Sequence, residues 1–129
     1  MNKWFIAAFT LISGVVVAAD CGTVSVFFSP PAPSRIYDAR IGEINGESRL
    51  IEEKEHKLAP GEYTLKVYEL IPDPAVDNRH RGYGKTLTLM VEKNKIYHIG
   101  AKYNHLEKFD RKNFWEPVVW KTDDSECSI

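Results

Sequence analysis

Apolar and polar residues alternate through much of the chain, and helical spacing is rare. A period of two marks strands with one buried face. In Thr23–Phe28, Val24, Val26 and Phe28 share a face. Prolines at 30, 31 and 33 end that strand, because proline donates no ladder hydrogen bond. Ile36–Ile44 is extended again, with Tyr37, Ala39 and Ile41 on one side. Asn45-Gly46 is a hairpin signal, since both residues tolerate positive φ. Arg49–Leu58 is then the return strand. It carries Glu52, Glu53, Lys54 and Glu55 in a row, which suits an edge or a solvated face.

Pro60-Gly61 turns the chain into Glu62–Ile71, where Tyr63, Leu65 and Val67 point one way. Pro72–Gly84 is a thirteen-residue loop, long for a hairpin connection. Thr86–Val91 directs Leu87, Leu89 and Val91 inward, and Glu92–Lys95 turns the chain. Ile96–Tyr103 returns with Tyr97, Ile99, Ala101 and Tyr103 toward the core, leaving His98 on the exposed face. Asn104–Asn113 is a charged connection with room for one helical turn, Phe114–Lys121 is the last strand, and a polar tail follows. About seven short strands at this spacing predict an all-β fold, a single antiparallel β-sandwich.

The first nineteen residues break the pattern. Lys3 precedes fourteen uncharged residues, Trp4–Val17, and Val17-Ala18-Ala19 places small residues before Asp20. Charged, apolar and small segments in that order predict a signal peptide, residues 1–19, cut near Ala19-Asp20. The domain is then 20–129, in the periplasm or secreted. A lipoprotein signal ending at Cys21 is the other reading, but Asp20 beside it suits that poorly. An oxidising compartment lets Cys21 and Cys127, the two cysteines, form a disulfide. Two unpaired thiols are the alternative. Without residues 1–19, 16 basic and 18 acidic residues remain, a net charge of −2. That balance argues against nucleic acid or an anionic membrane surface as the main partner, and no later apolar run is long enough to span a bilayer.

Leu58-Ala59-Pro60-Gly61-Glu62-Tyr63-Thr64-Leu65-Lys66-Val67 resembles the proline-glycine turn and alternating strand of PEGA-type and DUF2846-type extracytoplasmic β domains. Leu87–Ile99 resembles their next hairpin. The likeness spans about 45 residues and omits the Arg79-His80-Arg81 loop and the tryptophan-bearing last strand. It implies a transthyretin-like or immunoglobulin-like sandwich in an envelope protein, and it carries no catalytic residues.

Candidate chemistry is sparse. His56, His80, His98 and His105 have no partners at metal-ligand spacing, so no metal or cofactor is expected. The Glu52–His56 strand has the donors for a cation, or is simply a solvated edge. Arg79, His80, Arg81 and Tyr83 form the best ligand loop, suited to a carboxylate or phosphate, or else a solvated loop balanced by Asp73 and Asp77. In Phe114–Trp120, alternation puts Trp115, Pro117 and Val119 on one face and Phe114, Val118 and Trp120 on the other. Trp115 and Trp120 are candidate contacts for a partner protein or a sugar, or core. Pro117 places the strand at an edge. No nucleophile sits in a catalytic signature, so an enzyme is not expected. The leading function is an exported envelope domain that binds a protein or stabilises an assembly. The alternative is a binder of a small ligand, anion or cation through residues 79–83 or 52–56.

Overall fold

Alternating segments need two facing sheets to bury their apolar sides, and the computed structural model has that arrangement. It describes residues 19–31, 34–50, 53–72, 83–110 and 112–129. Among these are nine strands: β1 (Gly22–Ser25), β2 (Ile36–Tyr37), β3 (Ala39–Ile44), β4 (Glu47–Ser48), β5 (Glu55–Leu58), β6 (Gly61–Glu69), β7 (Lys85–Val91), β8 (Lys95–Tyr103) and β9 (Trp115–Asp124). One 3₁₀ turn, His105–Glu107, occupies the charged connection. No described helix is long and apolar enough to cross a membrane.

The first sheet is built on β8. One edge of β8 pairs with β9 along its whole length. The other edge takes β1 beside Ile96–His98 and β2 beside Ala101–Lys102, and β5 lies outside β1. The second sheet runs β4-β3-β6-β7. Between them lie Val24, Ile41, Leu65, Val67, Val91, Ile99 and Phe114, all at most 1 % exposed.

The expected all-β class holds, with three differences in strand layout. Ile36–Ile44 is not one strand. It divides at Asp38, giving β2 to one sheet and β3 to the other. The expected return strand Arg49–Leu58 is also changed: the strand that returns beside β3 is Glu47–Ser48, ahead of it, and within 49–58 the described strand is Glu55–Leu58, which pairs with β1. Pro60-Gly61 therefore passes the chain between sheets instead of closing a hairpin. The third difference is that β1 and β8 run parallel, while every other strand pair is antiparallel.

Local turn chemistry follows the sequence. Asn45 and Gly46 both have positive φ, 51° and 81°, as the two-residue hairpin turn requires. Asn94, with φ 57°, ties the β7–β8 turn to Cys21 and Cys127. Its amide donates to the Cys21 carbonyl at 2.8 Å, and its side-chain oxygen accepts from the Cys127 amide at 3.0 Å. Gly22 sits against the same turn, where a Cβ would lie 2.3 Å from the Glu92 carbonyl oxygen.

Cys21 and Cys127 are joined in a disulfide, with Cα atoms 5.3 Å apart. Asp20 and Ser128 bridge beside it. Closing a loop of 106 residues restricts the unfolded chain by about 4–5 kcal/mol in the chain-entropy account. Reduction should therefore lower the unfolding free energy by about 2–5 kcal/mol, measured by denaturant titration with and without reductant. An unchanged midpoint would mean that the bridge adds nothing to this fold.

Candidate functional site

The faces of the first sheet differ because β8 alternates. Tyr97, Ile99, Ala101 and Tyr103 point into the core, and His98, Gly100 and Lys102 point away from it. His98 was expected to be exposed. It does lie on the outer face, but it is 4 % exposed, because aromatic rings cover it. Phe28 approaches it edge-on at 5.7 Å, and Trp120 lies at 5.2 Å. His98 Nε2 and Asp123 Oδ2 are 2.9 Å apart.

Trp120 reaches this face through a bulge. The β8–β9 register shifts between His98 and Ile99, and Trp120 is the unpaired residue opposite them. Its ring lies over Gly100, where a Cβ would come within 3.0 Å of the indole and 2.7 Å of Ile36. Its Nε1 is buried without a hydrogen-bond partner among the described residues. Phe27 extends the cluster, its ring 5.0 Å from that of Phe28. The second sheet's outer face is polar by contrast, with Arg40 stacked 5.0 Å from the Tyr68 ring and Lys66 paired to Glu43 at 3.7 Å.

The two tryptophan candidates therefore separate. Trp120 faces outward and is half-buried. Trp115 is 2 % exposed, inside the core, and cannot meet a partner. Phe114, expected on the Trp120 face, is also buried in the core. It precedes β9, so strand alternation does not govern it. β9 pairs only with β8 among the described strands, so it forms the edge that Pro117 implied.

The 52–56 candidate leads into an edge strand with a solvated face, to which His56 is the exception. Glu52 lies outside the described residues. His56 turns inward beside Leu58 and is 2 % exposed, while Glu55 and Lys57 face solvent. Glu53 reaches His56 Nδ1 at 3.2 Å. No group of three described His, Cys, Asp or Glu residues is placed to hold a metal. Of the ligand loop, Arg79, His80 and Arg81 lie outside the described residues, and Tyr83 is 61 % exposed.

One grouping escaped the sequence because it depends on parallel pairing. Ser25 lies opposite His98, and His98 meets Asp123. These are the residue types of a hydrolytic triad, but the parts do not connect. His98 Nδ1 has no hydrogen-bond partner among the described residues, and the Ser25 hydroxyl accepts from the Phe27 amide at 3.1 Å. Ser25 is also fully buried. A nucleophile needs its base in reach and a path for substrate, and this serine has neither.

No protein-family model matches the chain, and no curated protein or solved structure is found similar to it.

The His56 imidazole has a displaced titration. Burial, the largest effect, pushes its pKa below the ordinary 6.5. Glu53 opposes this, and Arg49 adds to it. The unfolded chain then binds the proton more readily than the folded one. Stability from neutral His56 is complete above pH 6.5 and is lost as pH falls from there through the lower folded value. Denaturation across that interval should show a decline that His56→Leu reduces. Parallel curves for the two proteins would assign the decline to other groups.

Proposed function

We propose that this chain is an exported, non-catalytic binding domain that docks a protein partner on the outer face of the β1–β8–β9 sheet. The observation that carries the reading is the exposed ring pair, Phe27 at 62 % and Phe28 at 54 %, beside half-buried Trp120. Contiguous exposed aromatics rarely serve a solitary domain, and aromatic side chains dominate binding energy at protein interfaces. Phe28 packs edge-on against His98, which Trp120 flanks in turn, so its ring is held before binding, which lowers the entropic cost of docking. The unpaired edge of β9 beside this face is a second support, since a free edge accepts an added strand.

Export is supported by the order of the first nineteen residues and by the disulfide, which persists in oxidising compartments. We read the two-sheet architecture as a transthyretin-like or immunoglobulin-like sandwich, in keeping with the PEGA-type resemblance of the Leu58–Val67 and Leu87–Ile99 segments. The isolation of Ser25 from His98 supports a role in binding over catalysis.

Phe27→Ala separates binding from folding, because the ring is mostly in water. Its unfolding free energy should change by no more than about 0.5 kcal/mol. Mild crosslinking in the producing cell should join the parent chain to a discrete partner, and Phe27→Ala should lose most of that product. A parent chain recovered as a lone monomer would defeat the proposal, as would equal crosslinking of the variant.

A further inference from the structure

At the end of the sandwich away from the disulfide, four elements enclose a cleft of about 690 Å³. Arg35 enters from the residue before β2, Lys85 from the start of β7, Lys102 from the end of β8, and Lys112 from the loop before β9. Glu107 and Glu116 also line it. The charge is therefore predominantly positive, in a chain whose overall balance is close to neutral.

The wall is built. The connection between β8 and β9 is closed at its ends, with the Asn104 amide donating to the Phe114 carbonyl at 2.8 Å. The Asp110 carboxylate accepts from the Asn113 side chain and the Lys112 amide, both at 2.9 Å, and these bonds hold its pKa below the usual carboxylate range. Lys85 Nζ donates to the carbonyls of Lys112 and Trp115 and lies 5.5 Å from the Trp115 ring centroid. Desolvation there lowers its pKa, against the pull of Glu116 and Asp110. Arg35 has a positive φ of 63° and is anchored by the Tyr103 amide, which donates to its carbonyl at 2.8 Å. Its guanidinium lies against the His105 ring.

Three described cations pair with acids: Lys66 with Glu43, Lys95 with Asp124, and Lys121 with Asp123. Among the described residues, none of the four cleft cations makes such a pair, although two glutamates share the cleft. We infer that the Arg35–Lys85–Lys102–Lys112 cleft is a binding site for a small organic oxyanion, a molecule bearing a carboxylate or phosphate group. The planar Arg35 fork suits two oxygens at once, and the lysines supply point charges around it. The volume falls in the range of small-molecule sites and exceeds the need of a bare ion. This site is independent of the Phe27–Phe28 face, so either can fail without the other.

Calorimetric titration of the full chain at low ionic strength, with inorganic phosphate and citrate in separate arms, tests the inference. Saturable binding of either probe is expected. Phosphate alone would point to phosphorylated compounds, and citrate alone to carboxylates. Affinity should weaken at least tenfold in Arg35→Gln/Lys102→Gln and fall as salt rises. Lys85 is left intact because it holds the loop. Lys112→Gln is a milder second variant, and Lys54→Gln, on the exposed approach to β5, is the control. Absence of binding by both probes would overturn the site. So would an equal loss in Lys54→Gln, or unchanged binding in both cleft variants.

Discussion

Strand β8 must satisfy hydrogen bonds on both edges and bury side chains on both faces. Its first edge is filled by β9, and its second is shared by β1 and β2, which meet it from opposite directions. That sharing explains the parallel pair. The chain enters along β8, leaves through Phe27–Arg35, and returns against it. The excursion lays Phe28 across His98 and brings Arg35 to the far end of β8. Both proposed binding regions are thus products of one topological constraint. The Cys21–Cys127 disulfide and Asn94 fasten the opposite end, joining the segment before β1 to the tail after β9.

Gly100 shows how tightly the outer layer is set. Ile36 and Trp120 meet over it, with the Tyr37 carbonyl also close, so there is no room for a Cβ. Trp120 sits in the β8–β9 bulge, and bulges are common near functional surfaces. The face therefore has an ordered aromatic base and an exposed upper rim, Phe27 and Phe28. The second sheet has no such layer. Its outward Thr64, Thr86 and Thr88 are solvated, as an ordinary free face would be.

Features set by neighbouring residues were legible in the sequence. Asn45-Gly46 demanded its turn, the alternation of Tyr63, Leu65 and Val67 marked β6, and Pro117 marked an edge. The disulfide was legible because two cysteines framed the domain. Features set by distant residues were not. Nothing near Asp38 signals that the chain changes sheets, since both halves alternate in the same way. His98 alternates as a surface residue does, and rings from distant positions, Phe28 seventy residues earlier and Trp120, bury it. The cleft was hidden for the same reason, its four cations being separated by between ten and fifty residues. Of the loop favoured by the sequence, Tyr83 alone is described.

The claim that the aromatic face is covered by a partner can be tested directly by oxidative footprinting. Phe27, Phe28 and Met90 are all more than half exposed in the isolated chain, and Met90 lies on the opposite sheet. Hydroxyl-radical labelling should modify all three in purified protein. In intact producing cells, Phe27 and Phe28 should be protected while Met90 stays reactive. Equal labelling of the two phenylalanines in cells and in purified protein would contradict the account.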